Sequence, residues 1–134
     1  MVDSYARYLR RTGEEESRRL KKAYDRTSSA PLLIALSLDR SQLKKQPTRS
    51  RDRGEWVMGT QSVAAAAENM LLAAHACGIG GCWRGAPIFC GPAVRRALGL
   101  PRTQEPQVLL ELGYPAETPR RKELKPKDEV VAYY

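Results

Sequence analysis

The junction between an alanine-packed stretch, residues 61–76, and a glycine-rich one, residues 77–87, constrains this chain more than any other feature. The first reads Gln61-Ser62-Val63-Ala64-Ala65-Ala66-Ala67-Glu68-Asn69-Met70-Leu71-Leu72-Ala73-Ala74-His75-Ala76. A helix with this pattern is apolar nearly all round, so it is expected to be buried in a core or an interface. At ~1.5 Å per residue it would be ~24 Å long, and with Glu68 and Asn69 inside it falls short of the ~20 unbroken apolar residues a membrane span needs. Alanine at this density lets a second helix approach closely, within one subunit or across a symmetric dimer. His75, the single histidine, reads as a packing residue.

The second stretch is Cys77-Gly78-Ile79-Gly80-Gly81-Cys82-Trp83-Arg84-Gly85-Ala86-Pro87. Glycine at 78, 80, 81 and 85 leaves main-chain N–H groups uncovered by Cβ atoms, a common way to present donors to a flat or anionic ligand. The plainer reading is a helix cap at Gly78 followed by a glycine turn.

With 134 residues the chain makes one domain, large enough to bury a core. Its 23 basic and 15 acidic side chains are unevenly placed, since residues 1–55 hold 14 and 8 of them. A basic field on the N-terminal part attracts nucleic acid, an anionic cofactor or water. Nucleic acid is the weakest of these, because no aromatic side chains are interleaved with Arg40, Lys44, Lys45, Arg49, Arg51 and Arg53 to stack on bases. No apolar leader precedes the charged sequence after Met1, so a cytoplasmic protein is expected. The three cysteines, at 77, 82 and 90, match neither a disulfide framework nor a common zinc pattern, so no metal site is expected.

Residues 4–26 read as an exposed helix or arm, with Glu14–Arg18 and Glu15–Arg19 as acid-first i,i+4 pairs. Residues 32–38 form an apolar run of strand length, expected to be a central strand covered on both faces. Residues 39–54 read as a basic loop around Pro47. After the glycine turn, residues 91–99 read as a short helix with Pro92 at its first turn and Gly99 past its end. Residues 107–112 read as a second buried strand. A basic, proline-punctuated tail leads to Val130-Val131-Ala132-Tyr133-Tyr134, strand-like and suited to pairing with the sheet edge of another subunit.

Glu68-Asn69-Met70-Leu71-Leu72-Ala73-Ala74, Gly78 to Phe89, Glu105-Pro106 and Leu112-Gly113-Tyr114-Pro115, in this order and spacing, resemble the C-terminal two-thirds of the FMN-dependent nitroreductase family over residues 30–134. The run is also similar to nitroreductase-like domains attached to coenzyme F420 glutamyl ligases and to iodotyrosine deiodinase-like members. The resemblance implies an α+β fold: a sheet flanked by helices, N-terminally shortened, in a domain-swapped homodimer. It also implies a single domain, with residues 1–29 as a helical arm and residues 30–134 as a core ending in a C-terminal arm.

The same resemblance implies FMN at the dimer interface. Arg84, Gly85 and Ala86 would offer backbone contacts near the flavin ring edge, and Lys122 or Lys125 would meet the phosphate. An N–H aimed at that edge stabilises charge arriving on the ring, and a cation neutralises the phosphate. Hydride chemistry then belongs to the flavin, which fits the lack of a recognisable triad or carboxylate pair, and no catalytic side chain is expected. The implied activity is an oxidoreductase passing hydride from NAD(P)H through FMN to a small electron acceptor.

The departures are specific. No arginine-rich phosphate-gripping motif is recognisable upstream of Ala30, Arg10-Arg11 being an incomplete candidate, and Leu124 stands where the family often has arginine. A flavin-free dimeric scaffold without catalysis is therefore the alternative reading.

Overall fold

The computed structural model describes residues 16–119 and 123–133. A first helix, α1 (Glu16–Ser29), leads to β1 (Leu32–Asp39), a 3-10 turn (Arg40–Gln42) and the long helix α2 (Arg49–Ala76). Then come β2 (Gly80–Arg84), α3 (Ala86–Leu98), β3 (Gln104–Gly113) and a second 3-10 turn (Lys127–Glu129). The three strands form one antiparallel sheet in the order β1-β3-β2.

The central strand is β3, not the run at 32–38. Its residues from Pro106 to Leu112 are all buried, whereas β1 lies at an edge with Leu32 52 % and Leu33 42 % exposed. Unbroken hydrophobicity in residues 32–38 therefore does not mark a strand covered on both faces; part of that apolar surface is open among the described residues.

The core lies between α2 and the sheet. Ala67 is fully buried against Val108, Leu110 and Leu112, with Met70, Leu71 and Ala74 of the same helix around it. The spacing 67, 70, 71, 74 is one helical face, and 108, 110, 112 is one strand face. Within this one chain α2 is buried on one face only: Leu72 is 58 % and Met58 54 % exposed, and Ala65, Ala66, Glu68, Asn69 and His75 are exposed too. Alanine at 67 and 74, with no side chain beyond Cβ, gives the buried stripe its close packing, and the opposite face of the same helix looks outward.

Much of the basic loop expected at residues 39–54 is helix. Thr48 caps α2, its hydroxyl accepting from the Arg51 N–H at 3.3 Å, and Asp52 in the first turn complements the helix dipole. Arginine, glutamate, methionine and tryptophan then sustain the helix through Gly54 and Gly59. Gly59 also permits a close approach, because a Cβ there would meet Leu38 at 2.8 Å.

At the other end of α2, Gly78 adopts φ +74°. Its N–H donates to the His75 carbonyl and the Ile79 N–H to the Ala74 carbonyl, a Schellman cap. The cap at Gly78 is thus as expected, but the rest of the supposed glycine turn is β2, paired with β3 from Gly80↔Gly113 to Arg84↔Leu109. Gly81 allows the close packing there, since a Cβ would press on the end of the Leu71 side chain and meet that of Leu112 at 3.0 Å.

The helix expected at 91–99 is the second part of α3, which is kinked at Cys90 (φ −132°) just before Gly91-Pro92. It stops at Gly99 in the left-handed region, φ +64°. The tail residues Val130–Tyr133 form no strand among the described residues, and Tyr134 lies outside them. Residues 1–15, including Arg10, Arg11 and the two acidic partners of the i,i+4 pairs, also lie outside.

Candidate functional site

Arg84, Gly85 and Ala86 are brought together at the junction of β2 and α3, where the chain leaves the sheet and enters a helix. Gly85 precedes the first helical residue with φ −85° and ψ 0°. A Cβ added to it meets nothing within 4 Å, so one side of this turn is open space. Close to it in sequence, Trp83 is 38 %, Ile88 61 % and Phe89 63 % exposed.

The Arg84 guanidinium is held from below. Its Nε donates to Glu111 Oε2 at 2.7 Å, and the Thr27 hydroxyl donates to the other carboxylate oxygen, Oε1, at 2.6 Å. Register explains the reach: Glu111 sits opposite Cys82, and Arg84 lies two residues farther along β2 on the same face. The Glu111 side chain is only 7 % exposed, against 27 % for Arg84. Residues 110 and 112 point to α2, so the alternation of the strand turns Glu111 to the opposite face.

A second carboxylate on β3 has a different task. Glu105 accepts from Trp56 Nε1 at 3.2 and 3.1 Å on its two oxygens, and from Gln107 Nε2 at 3.2 Å, with Arg40 3.8 Å away. It fastens the N-terminal half of α2 to the sheet. Six residues separate Glu105 from Glu111, so in a regular strand they would share a face. The register shift between Leu36 and Ser37 inserts an extra β3 residue and sends Glu105 to the α2 side. Pro106 beside it was the available sequence signal, since proline inside a buried strand calls for an irregularity.

The expected cofactor residues divide three ways. Arg84, Gly85 and Ala86 are contiguous, and their backbone borders the opening. Lys125 is exposed in the tail, and no hydrogen bond or ion pair joins it to residues 84–86 among the described residues. Lys122 lies outside the described residues. A groove of about 680 Å³, open to solvent, lies elsewhere: Ser50, Arg51, Arg53, Gly54 and Met58 line it at the start of α2.

Fit to FMN can be judged on these groups. The uncovered turn at Gly85 accepts the edge of a flat ring, because the volume a Cβ would fill is free. The phosphate needs a cation, and Arg84 is already paired with Glu111, so a basic residue other than Arg84 would have to meet it. Cys90, buried and with its thiol against the Ala86 carbonyl at 3.2 Å, has its pKa pushed up by burial and is a packing residue.

This architecture is that of a known class. Residues 3–114 match the model of the nitroreductase family, and the chain belongs to that family. A Methanothermobacter thermautotrophicus protein provisionally named NADH dehydrogenase/NAD(P)H nitroreductase is 36 % identical over 103 residues, covering 75 % of this chain and 49 % of its own length. The chain thus spans about half the length of that relative. Among solved structures, a nitroreductase-like family protein from Bacillus cereus superposes with a TM-score of 0.68 at 26 % identity, covering 99 % of this chain and 65 % of that one. The FMN- and NADPH-dependent nitroreductase NfnB from Sphigopyxis sp. strain HMH gives 0.55 at 22 % identity, covering 90 % and 52 %. The match begins at residue 3, upstream of residue 30, where the sequence resemblance starts. No described helix is long and apolar enough to cross a membrane.

Proposed function

We propose that this chain is the flavin-binding core of an NAD(P)H-dependent oxidoreductase, acting as a homodimer on a small electron acceptor. The observation that carries the reading is the turn at Gly85, open where a Cβ would stand and backed by the anchored Arg84. Family membership supports the oxidoreductase class, and the names of the archaeal relative and of NfnB support NAD(P)H and FMN. FMN, when bound, supplies the hydride chemistry. The protein's part is to hold the ring edge against the 84–86 backbone, to meet the phosphate with Lys122 and Lys125, and to exclude water with Trp83, Ile88 and Phe89.

The homodimer rests on the exposed face of α2. Leu72, Met58, Ala65 and Ala66 form apolar surface that a second subunit would cover. A folded monomer in sedimentation would refute it, and Ala66→Glu should split the dimer. Deleting residues 130–134 should weaken the dimer more than the core if this arm grips the partner.

Titration with FMN, followed by flavin fluorescence, tests the cofactor. The chain should quench the flavin, Lys122→Glu should abolish binding, Gly85→Val should block it through its branched Cβ, and a Lys44 variant should behave as the parent. Equal affinities for the Lys122 and Lys44 variants would remove the phosphate assignment. The flavin-free scaffold is favoured by one observation, the commitment of the Arg84 guanidinium to Glu111, and it predicts a colourless protein even at millimolar FMN.

A further inference from the structure

We propose that Glu111 is a positioning residue for the flavin-facing turn and that, through Thr27, it links binding at that turn to the docking of α1. This rests on the flavin reading above. Each oxygen of the Glu111 carboxylate is engaged by a different part of the chain: Oε1 by Thr27 in the last turn of α1, and Oε2 by Arg84 at the end of β2. The group is buried in the central strand, where an ionised carboxylate is tolerated only with both charge and hydrogen bonds satisfied. It is therefore a fixed point, and two parts of the chain are tied to it.

The first is the turn itself. β2 is a five-residue edge strand, and Arg84 is its last residue, one peptide before Gly85. A short edge strand holds its end weakly, so the charge-assisted bond from Arg84 to Glu111 decides where the Arg84–Gly85 peptide points. The Arg84 charge is neutralised by this pair. Its contribution to a ligand is the placement of the backbone rather than a grip on phosphate.

The second is α1. Among its described side chains Lys21, Lys22, Tyr24 and Arg26 are exposed, and the Thr27 bond spans 84 residues of sequence to reach the sheet. A ligand that steadies Arg84 steadies the carboxylate, and with it Thr27. Linkage is reciprocal, so a firmly docked α1 tightens ligand binding by the same factor that the ligand protects α1.

The test uses the full chain with FMN as the probe, and compares the parent, Thr27→Val, Glu111→Gln, and the neutral pair Arg84→Met with Glu111→Gln. Three quantities are measured: FMN affinity, the visible absorption spectrum of the bound flavin, and the rate of tryptic cleavage after Lys21 and Lys22 with and without FMN. In the parent, FMN should slow cleavage of α1. Thr27→Val, nearly isosteric and without a bond to Arg84 itself, should weaken FMN and remove that protection while leaving the flavin spectrum unchanged. Glu111→Gln offers one acceptor oxygen in place of two, and should weaken FMN about tenfold or more and shift the spectrum. The neutral pair should recover thermal stability but neither affinity nor spectrum, which separates positioning from a purely structural role. The proposal is overturned if Glu111→Gln binds FMN with the parent's affinity and spectrum, or if Thr27→Val keeps the protection. A parent that binds no FMN sinks the flavin reading and this linkage together, whereas a binding parent matched by Glu111→Gln sinks the linkage alone.

Discussion

Glu105 and Glu111 are the same residue type on the same strand, yet they do opposite kinds of work. Glu105 stands at the end of β3, its side chain 28 % exposed, and ties Trp56 of the long helix to the sheet. Glu111 lies third from the other end, 7 % exposed in its side chain, with a guanidinium on one oxygen and a hydroxyl on the other. The difference teaches that burial, not charge, sets what a carboxylate is worth. A partly solvated one trades protein for water at little net gain, whereas a buried one whose partner is removed leaves a charge without compensation.

The largest test of this contrast is truncation at each position. Glu111→Ala leaves Arg84 without its counter-charge and should cost about 3–5 kcal/mol in denaturant unfolding, while Glu105→Ala should cost about 1 kcal/mol. Comparable losses would collapse the distinction. The next test moves to the glycines of β2 and its exit. Gly81→Ala forces Leu71 and Leu112 apart and should cost about 1–3 kcal/mol, whereas Gly85→Ala, facing open space at negative φ, should stay within about 0.5 kcal/mol. A destabilised Gly85→Ala would mean that the opening is filled by protein.

The smallest effect, and the most local, is thiol labelling at mildly alkaline pH. Cys77 is exposed and should react first; Cys90, buried and with its pKa raised, should react last. Thiolate is the reactive form, so the lag of Cys90 should shrink as pH rises. Glu111→Ala, by loosening the strand end that feeds α3, should speed Cys90 labelling more than Glu105→Ala does. Equal rates in the two variants would show that the buried carboxylate has no hold on α3.

The buried strand at residues 107–112, the cap at Gly78, and the stop at Gly99 were legible because each is a local signal: an apolar run, or a glycine placed where φ must be positive. Three elements were not. β2 hid among glycines, since its residues earn their place by letting Leu71 of α2 lie flat on the sheet, a contact 10 residues away in sequence. The first two turns of α2 hid among charges, because an exposed helix start and a basic loop have the same composition, and only Thr48 and Asp52 distinguish them. The edge position of β1 hid behind its own hydrophobicity. At the candidate site, Arg84, Gly85 and Ala86 could be singled out from sequence, but Thr27 and Glu111 could not, since neither lies in a motif.

Sequence alone thus determined the family, the alanine-packed helix with its glycine cap, and the 84–86 turn as the place to look, because these follow from spacing and from backbone freedom within short stretches. The tertiary structure decided which strand is central, and turned Glu105 and Glu111 to opposite faces through a single irregularity beside Pro106. It also decided that the arginine beside the opening is spent on a buried carboxylate. Each of these depends on partners brought together from 25 to 84 residues apart, and such pairings are set by strand register and packing rather than by any local preference of the chain.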